Sequence, residues 1–118
     1  MVKIFELKIE NPMIYSLNRY RNDHFTVRSR FRDDCYLLFQ SEIRKLKNIP
    51  IIKKYPVDVV FELEKPRPFD CDNIITKQYL DSLVHLGVLE NDSPKFVRSV
   101  KVISKSSKKT KLHLLIYN

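Results

Sequence analysis

Asp70 and Asp72 stand two residues apart in the run Phe69-Asp70-Cys71-Asp72-Asn73. A third acid, Asp92, follows the patterned segment 74–86 and the chain's sole glycine, Gly87. Carboxylates this close repel each other unless a cation lies between them. A hard divalent ion such as Mg²⁺ takes oxygen ligands, retains several waters and binds substrate phosphate as well. Such an ion generates hydroxide and offsets the charge that develops when a phosphodiester is cut. Taken singly, each acid has a plainer role. Asp72 or Asn73 can cap the helix that follows, and Asp92, ahead of Ser93-Pro94, is an ordinary turn residue. Asp70 is not needed as a cap, and the three together point to a metal site that acts on a polyanion.

The distribution of charge points the same way. The net charge is +8, but residues 19–54 carry ten Lys/Arg against four acids, residues 55–94 three against eight, and residues 95–118 seven against none. An acidic island between two basic arms repels phosphate unless cations sit on it, whereas a uniformly basic chain only coats nucleic acid.

The elements that must position these residues follow from periodicity. Residues 2–9 read as a strand with Phe5, Leu7 and Ile9 on one face, ended by Asn11-Pro12. The stretch Tyr15-Ser16-Leu17-Asn18-Arg19-Tyr20-Arg21 is polar, aromatic and basic, too irregular for a core element. Ser29 is the predicted N-cap of a helix running to about Asn48, with Phe31, Cys35, Leu38, Phe39, Ile43 and Leu46 as its apolar stripe. Val57, Val59, Phe61 and Leu63 alternate with Asp58, Glu62 and Glu64 as a second strand, which Lys65-Pro66-Arg67-Pro68 ends.

Over 74–86 a helix is predicted, with Ile75, Thr76, Tyr79, Leu80, Leu83, Val84 and Leu86 on one half of the wheel. Lys77, Gln78, Asp81, Ser82 and His85 fall on the other half, and Ile74 is the exception. Gly87 stands where a left-handed C-terminal residue is needed. Two further strands follow, around 96–103 and 112–116, expected to pair as an antiparallel hairpin across the basic loop 104–109. The order β-α-β-α-β-β predicts an α+β fold, a small mixed β-sheet with two main helices packed on it.

At 118 residues, 43% of them hydrophobic and 11% aromatic, the chain is expected to form one domain spanning 1–118 with its own core. No apolar run approaches the roughly 18 residues of a membrane span, so no membrane partner is expected. The first residues lack a signal peptide's apolar block. Cys35 and Cys71 show neither CxxC nor zinc-ligand spacing, which suits a reducing, cytoplasmic compartment.

The run Asp70-x-Asp72-Asn73-Ile74, then Lys77, Leu80-Asp81-x-Leu83, Gly87-Val88-Leu89 and Asn91-Asp92, resembles the RusA family of Holliday junction resolvases. The N-terminal Ser16-x-Asn18-x-Tyr20 and the overall length match as well, so the resemblance covers nearly the whole chain. It implies a homodimeric, Mg²⁺-dependent endonuclease (with Mn²⁺ as a substitute) that resolves four-way DNA junctions by paired symmetric nicks in recombination and repair. It also implies a bacterial or phage-infected cell, with the protein at the nucleoid. The resemblance makes Asp70, Asp72 and Asp92 the metal ligands and Lys77 the residue that assists at the phosphate. One feature departs from the family's pattern, in which the lysine comes four residues after the second aspartate. This chain has Thr76 there and Lys77 one step on, a rotation of about 100° on a helix. Thr76 falls on the apolar half of the wheel and Lys77 on the polar half, so the function is placed on Lys77. An i,i+4 pair with Asp81 remains an equal alternative for it.

For gripping DNA, the candidates are Asn18, Arg19, Arg21, Lys65, Arg67, Lys105, Lys108 and Lys109, because basic side chains beside the acids and in the terminal loops suit phosphate contacts. Phe69 either wedges between bases or packs under the acidic loop, and burial is the commoner fate of an aromatic. Cys71 is expected to be turned away from the site or packed, since Mg²⁺ prefers oxygen. Two other functional classes stay open. A non-catalytic branched-DNA or RNA binding module of the same fold has no need of the acid trio. A DxD phosphatase or nucleotidyl enzyme would want a phosphate-cradling glycine loop, and Gly87 is the only glycine.

Overall fold

A computed structural model describes residues 1–118. Four strands form one mixed sheet, β1 (Lys3–Glu10), β2 (Val57–Lys65), β3 (Val97–Ser106) and β4 (Lys111–Tyr117), in the spatial order β1-β4-β2-β3. Three helices accompany it: α1 (Leu17–Asn22), α2 (Phe25–Arg44) and α3 (Lys77–His85), with a 3-10 turn at Cys71–Asn73. The α+β class and the two main helices are as the sequence predicts.

The core lies on one face of the sheet. Phe5, Leu7 and Ile9 of β1, Val57, Val59, Phe61 and Leu63 of β2 and Leu112, Leu114 and Ile116 of β4 are all buried there. Phe39 and Ile43 of α2 and Tyr79 and Leu83 of α3 close over them. Each large side chain buried this way contributes about 1.5–3 kcal/mol. Tyr79 ties the layers together: its ring stacks on Phe39 with centroids 5.6 Å apart, and its hydroxyl donates to the Met13 carbonyl.

Several expectations need correction. The last two strands are not a hairpin. β3 runs parallel to β2 on one side and β4 antiparallel to it on the other, so the loop 107–110 crosses the end of β2. β2 and β4, whose inward-facing apolar side chains are all but inaccessible, take the two places with a neighbour on each side. β3, with Arg98, Ser99 and Lys101 exposed, suits an edge. The long helix starts earlier than Ser29, because the His24 ring accepts from the Thr26 amide and caps it, and it ends at Arg44. The irregular stretch holds a short helix, α1, capped by Ser16 but burying none of its residues.

The central helix is also shorter than its periodicity suggests. Ile74 makes a β-bridge with Ser16, and the Ile75 amide donates to the Tyr15 carbonyl, so both are extended. The helix proper begins at Lys77 with Thr76 at the cap position, and neither Asp72 nor Asn73 caps it. Its polar half is not all solvated either. Gln78 and Ser82 are buried, because α2 packs against that side, and the Ser82 hydroxyl approaches the Cys35 thiol. Gly87 follows with φ +80°, the left-handed residue the sequence asks for.

Candidate functional site

The C-terminal end of β2 gathers segments that are far apart in sequence. After Lys65 the chain turns through Pro66, Arg67 and Pro68, and the Phe69 carbonyl accepts from the Ser104 hydroxyl of β3. The 3-10 turn that follows begins where the Asn73 amide donates to the Asp70 carbonyl. Asp70 and Asp72 therefore share one turn. Both are exposed, and neither enters an ion pair within the chain.

Asn73 joins this turn to the N-terminal segment. Its side-chain oxygen accepts from the Asn18 amide at 3.1 Å, across 55 residues of sequence. With the Ser16–Ile74 bridge, this places the Ser16-x-Asn18-x-Tyr20 segment directly against the DxDN turn. The loop 107–110 reaches the same end, since the Ser107 amide donates to the Lys65 carbonyl and the Asn11 amide to the Thr110 carbonyl.

The basic candidates divide by what they already touch. Arg21, Arg67, Lys108 and Lys109 are exposed and form no ion pair. Arg19 pairs with Asp23 at 3.1 Å and lies over the Tyr15 ring. Lys105 pairs with Glu62 at 3.6 Å. Lys65 places its ammonium 3.9 Å from the centre of the Phe69 ring, and Phe69 packs against the core, which is the burial reading of that aromatic. Cys71 is neither packed nor hidden; it is exposed on the acid turn.

Lys77, the first residue of α3, is exposed and lies 3.5 Å from Asp81, so the plain i,i+4 pair is formed. Exposed pairs of this kind contribute about 0.3–0.5 kcal/mol, too little to hold the ammonium against a phosphate. Thr76 is half-buried and makes no capping bond.

Asp92 is held elsewhere. Two residues earlier, the Glu90 amide donates a hydrogen bond to the Tyr55 hydroxyl, just before β2 begins, and Ser93 leads by a turn into Val97 at the start of β3. Val97 and Ser104, the two anchor points, are seven residues apart on β3, roughly 23 Å at a parallel strand's rise. No group of three or more His, Cys, Asp or Glu side chains has the arrangement to hold a metal ion. Asp70 and Asp72 share the turn near Ser104, and Asp92 precedes the segment that enters β3 at Val97. Two exposed carboxylates on one turn still match the oxygen donors and open coordination positions of a hydrated Mg²⁺ that also binds a substrate phosphate.

Two residues at this end carry more than their sequence signal. Asn73 is the link between motif halves, visible beforehand only as the last member of the DxDN run. Gln78 is buried although it falls on the polar half of the wheel, and only the position of α2 reveals it. No family model and no curated protein matches this chain.

Proposed function

We propose that this protein is a Mg²⁺-dependent, structure-selective endonuclease of the RusA type that resolves four-way DNA junctions by paired nicks. One juxtaposition supports the reading. Two carboxylates without a partner in the chain stand on a turn flanked by Lys65 and Arg67, at the end of the sheet reached by the loop bearing Lys108 and Lys109. An arrangement that is acidic at its centre and basic at its margin accepts a polyanion only with a cation between them.

Asp70 and Asp72 would hold the ion by their oxygens. When bound there, Mg²⁺ supplies an activated water and offsets charge on the scissile phosphate. Lys77 stabilises that charge from the start of α3, and Arg67, Lys108 and Lys109 fix the flanking phosphates without reading sequence. A junction needs two symmetric cuts, which a two-fold homodimer with one site per subunit delivers. Such an enzyme works in the cytoplasm at the nucleoid; no helix of the chain is long and apolar enough to cross a membrane. Asp92 belongs to the ligand set by resemblance alone.

The test is cleavage of a synthetic mobile junction with Mg²⁺, with Mn²⁺ and with neither. Asp72→Asn should abolish cleavage and leave junction binding unchanged or tighter, since it removes metal affinity and one charge facing phosphate. Near-normal cleavage by that variant removes the metal assignment. Asp92→Asn, measured beside it, decides whether the distant acid takes part. The position of Asp92 favours a second reading, a branched-DNA or RNA binding module without catalysis, and that protein would bind the junction and cut it under no metal condition.

A further inference from the structure

Of the chain's seven phenylalanines and six tyrosines, Phe25 alone is exposed, at 62%. A single apolar residue on a surface is ordinary, and what sets this one apart is its company. Phe25 opens α2 and stands on the wall of a cleft of about 230 Å³ between α1, α2 and α3. Arg28, Ser29 and Arg32 follow it on the same wall, at the spacing that shares one helix face. Tyr20 of α1 and Lys77 of α3 line the other sides. Through Lys77 the cleft adjoins the site of the proposed reaction.

The cations around Phe25 are available. Residues 19–32 carry five arginines against one acid, Asp23. That acid is already occupied by Arg19 and by the Tyr15 hydroxyl. Arg28 has no acidic partner in the chain; its guanidinium carbon lies 5.2 Å from the centre of the Tyr20 ring. Arg32 pairs only with its exposed neighbour Asp33, at 3.3 Å, a contact that a phosphate readily displaces. The one acid lining the cleft, Asp81, already faces Lys77 at 3.5 Å. An open aromatic face bordered by unpaired and weakly paired guanidiniums suits one partner, a single strand of nucleic acid. Its bases stack on the ring while its phosphates follow the charge.

We propose that Phe25 stacks on an unpaired base beside the cut site, with Arg28 and Arg32 holding the phosphates of the strand that carries it. The proposal rests on the nuclease reading for the source of that base. A base must leave its duplex to meet the ring, and this costs least where pairing is already interrupted, as at a branch point. Within the fold the ring meets one aromatic partner, His24, at 4.5 Å, so most of its surface is left for a base. Every base has a π-face, so the contact carries little sequence preference. Phe25 thereby favours opened over fully paired DNA, whereas Arg28 and Arg32 grip either.

The chain contains no tryptophan, so Phe25→Trp installs a unique fluorophore at the stacking position. Its emission is followed in the full chain, without Mg²⁺, as three probes are added. These are a single-stranded hexanucleotide, the same strand with every base removed, and a linear duplex. The base-bearing strand should quench the emission. The abasic strand keeps every phosphate, so it should bind through the arginines and leave the emission unchanged, as should the duplex. Phe25→Ala should weaken binding of the base-bearing strand about fivefold or more and leave abasic binding unchanged. Arg28→Ala should weaken both. The proposal is overturned if the abasic strand or the duplex quenches as strongly as the base-bearing strand, or if Phe25→Ala binds that strand as the parent does. It is overturned too if the emission shifts with protein concentration before any strand is added, since a second copy then covers the ring. The outcome is separable from the nuclease reading. Base-dependent quenching in a protein that cuts no junction would keep the stacking residue and remove the catalysis; cleavage without quenching would do the reverse.

Discussion

Asp58 and the pair Asp70 and Asp72 lie on either side of one strand's length, and the chain treats them in opposite ways. Asp58, near the start of β2, is buried and receives both Nε and Nη2 of Arg98, at 3.1 and 2.6 Å, and the Ser99 hydroxyl as well. The Arg98 guanidinium, with Ser99 second, holds its carboxyl down at about 2, from an ordinary 3.8. Asp70 and Asp72, beyond the other end, are exposed and receive no ion pair at all. An acid answered in full by its own chain has its work inside the fold. Two acids on one turn left unanswered, in a chain with net charge +8, are what the proposed cation would answer.

The widest gap between the two regions should appear in chemistry. Lys77→Ala is expected to lower the single-turnover cleavage rate by about 10²-fold or more, as loss of a charge-stabilising group does. Saturating protein on a fixed junction keeps altered binding from passing as altered chemistry. Thr76→Ala, one residue away and making no capping bond, should leave the rate unchanged. If Lys77→Ala cuts normally, the residue is only the surface partner of Asp81, and Lys65 or Arg67 takes its place.

Stability should show the reverse order. Asp58→Ala leaves the Arg98 guanidinium without its carboxylate, and its thermal midpoint should fall by several degrees. Asp72→Asn, which relieves repulsion with Asp70, should leave the midpoint unchanged or raise it. Equal losses in the two variants would erase the distinction. The same contrast is open to titration. The folded value for Asp58 is depressed, so its contribution is present above about pH 4 and is lost as the pH falls towards about 2. Denaturant midpoints measured from pH 5 to pH 2 should therefore drop in the parent and drop less in Asp58→Ala.

The smallest expected effect uses the two cysteines. Cys35 is buried and its thiol is pushed up to about 12, chiefly by burial, so it should resist iodoacetamide in the folded protein. Cys71, exposed between Asp70 and Asp72, should be alkylated faster than Cys35. Millimolar Mg²⁺ should change that rate if the ion sits on the turn, and no change would count against it.

What the sequence made legible was period. Phe5, Leu7 and Ile9, the stripe Phe31, Cys35, Phe39 and Ile43, and the alternation from Val57 to Leu63 all turn inward as their spacing requires. Gly87 was equally plain, because one backbone conformation selects it. Strand partners were not legible. Alternation fixes which side chains share a face but not which strand lies alongside, and so β3 and β4 look like a hairpin until β2 is found between them. The beginning of α3 was obscured for a related reason: Ile74 and Ile75 fit a helical stripe and also fit the extended contacts they make with Ser16 and Tyr15. At the site, the adjacency of Asp70 and Asp72 needs only their spacing. The position of Asp92 depends on β2 and β3 being parallel, which sends the far loop of α3 back towards the start of the strands. The burial of Gln78 depends on a second helix, and no single-segment pattern contains it.

The pairing of β1 has a consequence for how the molecule is made. Its only neighbour in the sheet is β4, the last strand in the sequence, and Val2 and Asn118 exchange both of their backbone hydrogen bonds. During synthesis β1 emerges well before β4 and waits, with Phe5, Leu7 and Ile9 uncovered, until more than a hundred further residues have been added. Contacts of such long sequence separation make folding slow and expose the early strand to the wrong partners. Glu6, Lys8 and Glu10 alternate with those apolar residues, and the charge they give the waiting strand discourages it from pairing with copies of itself.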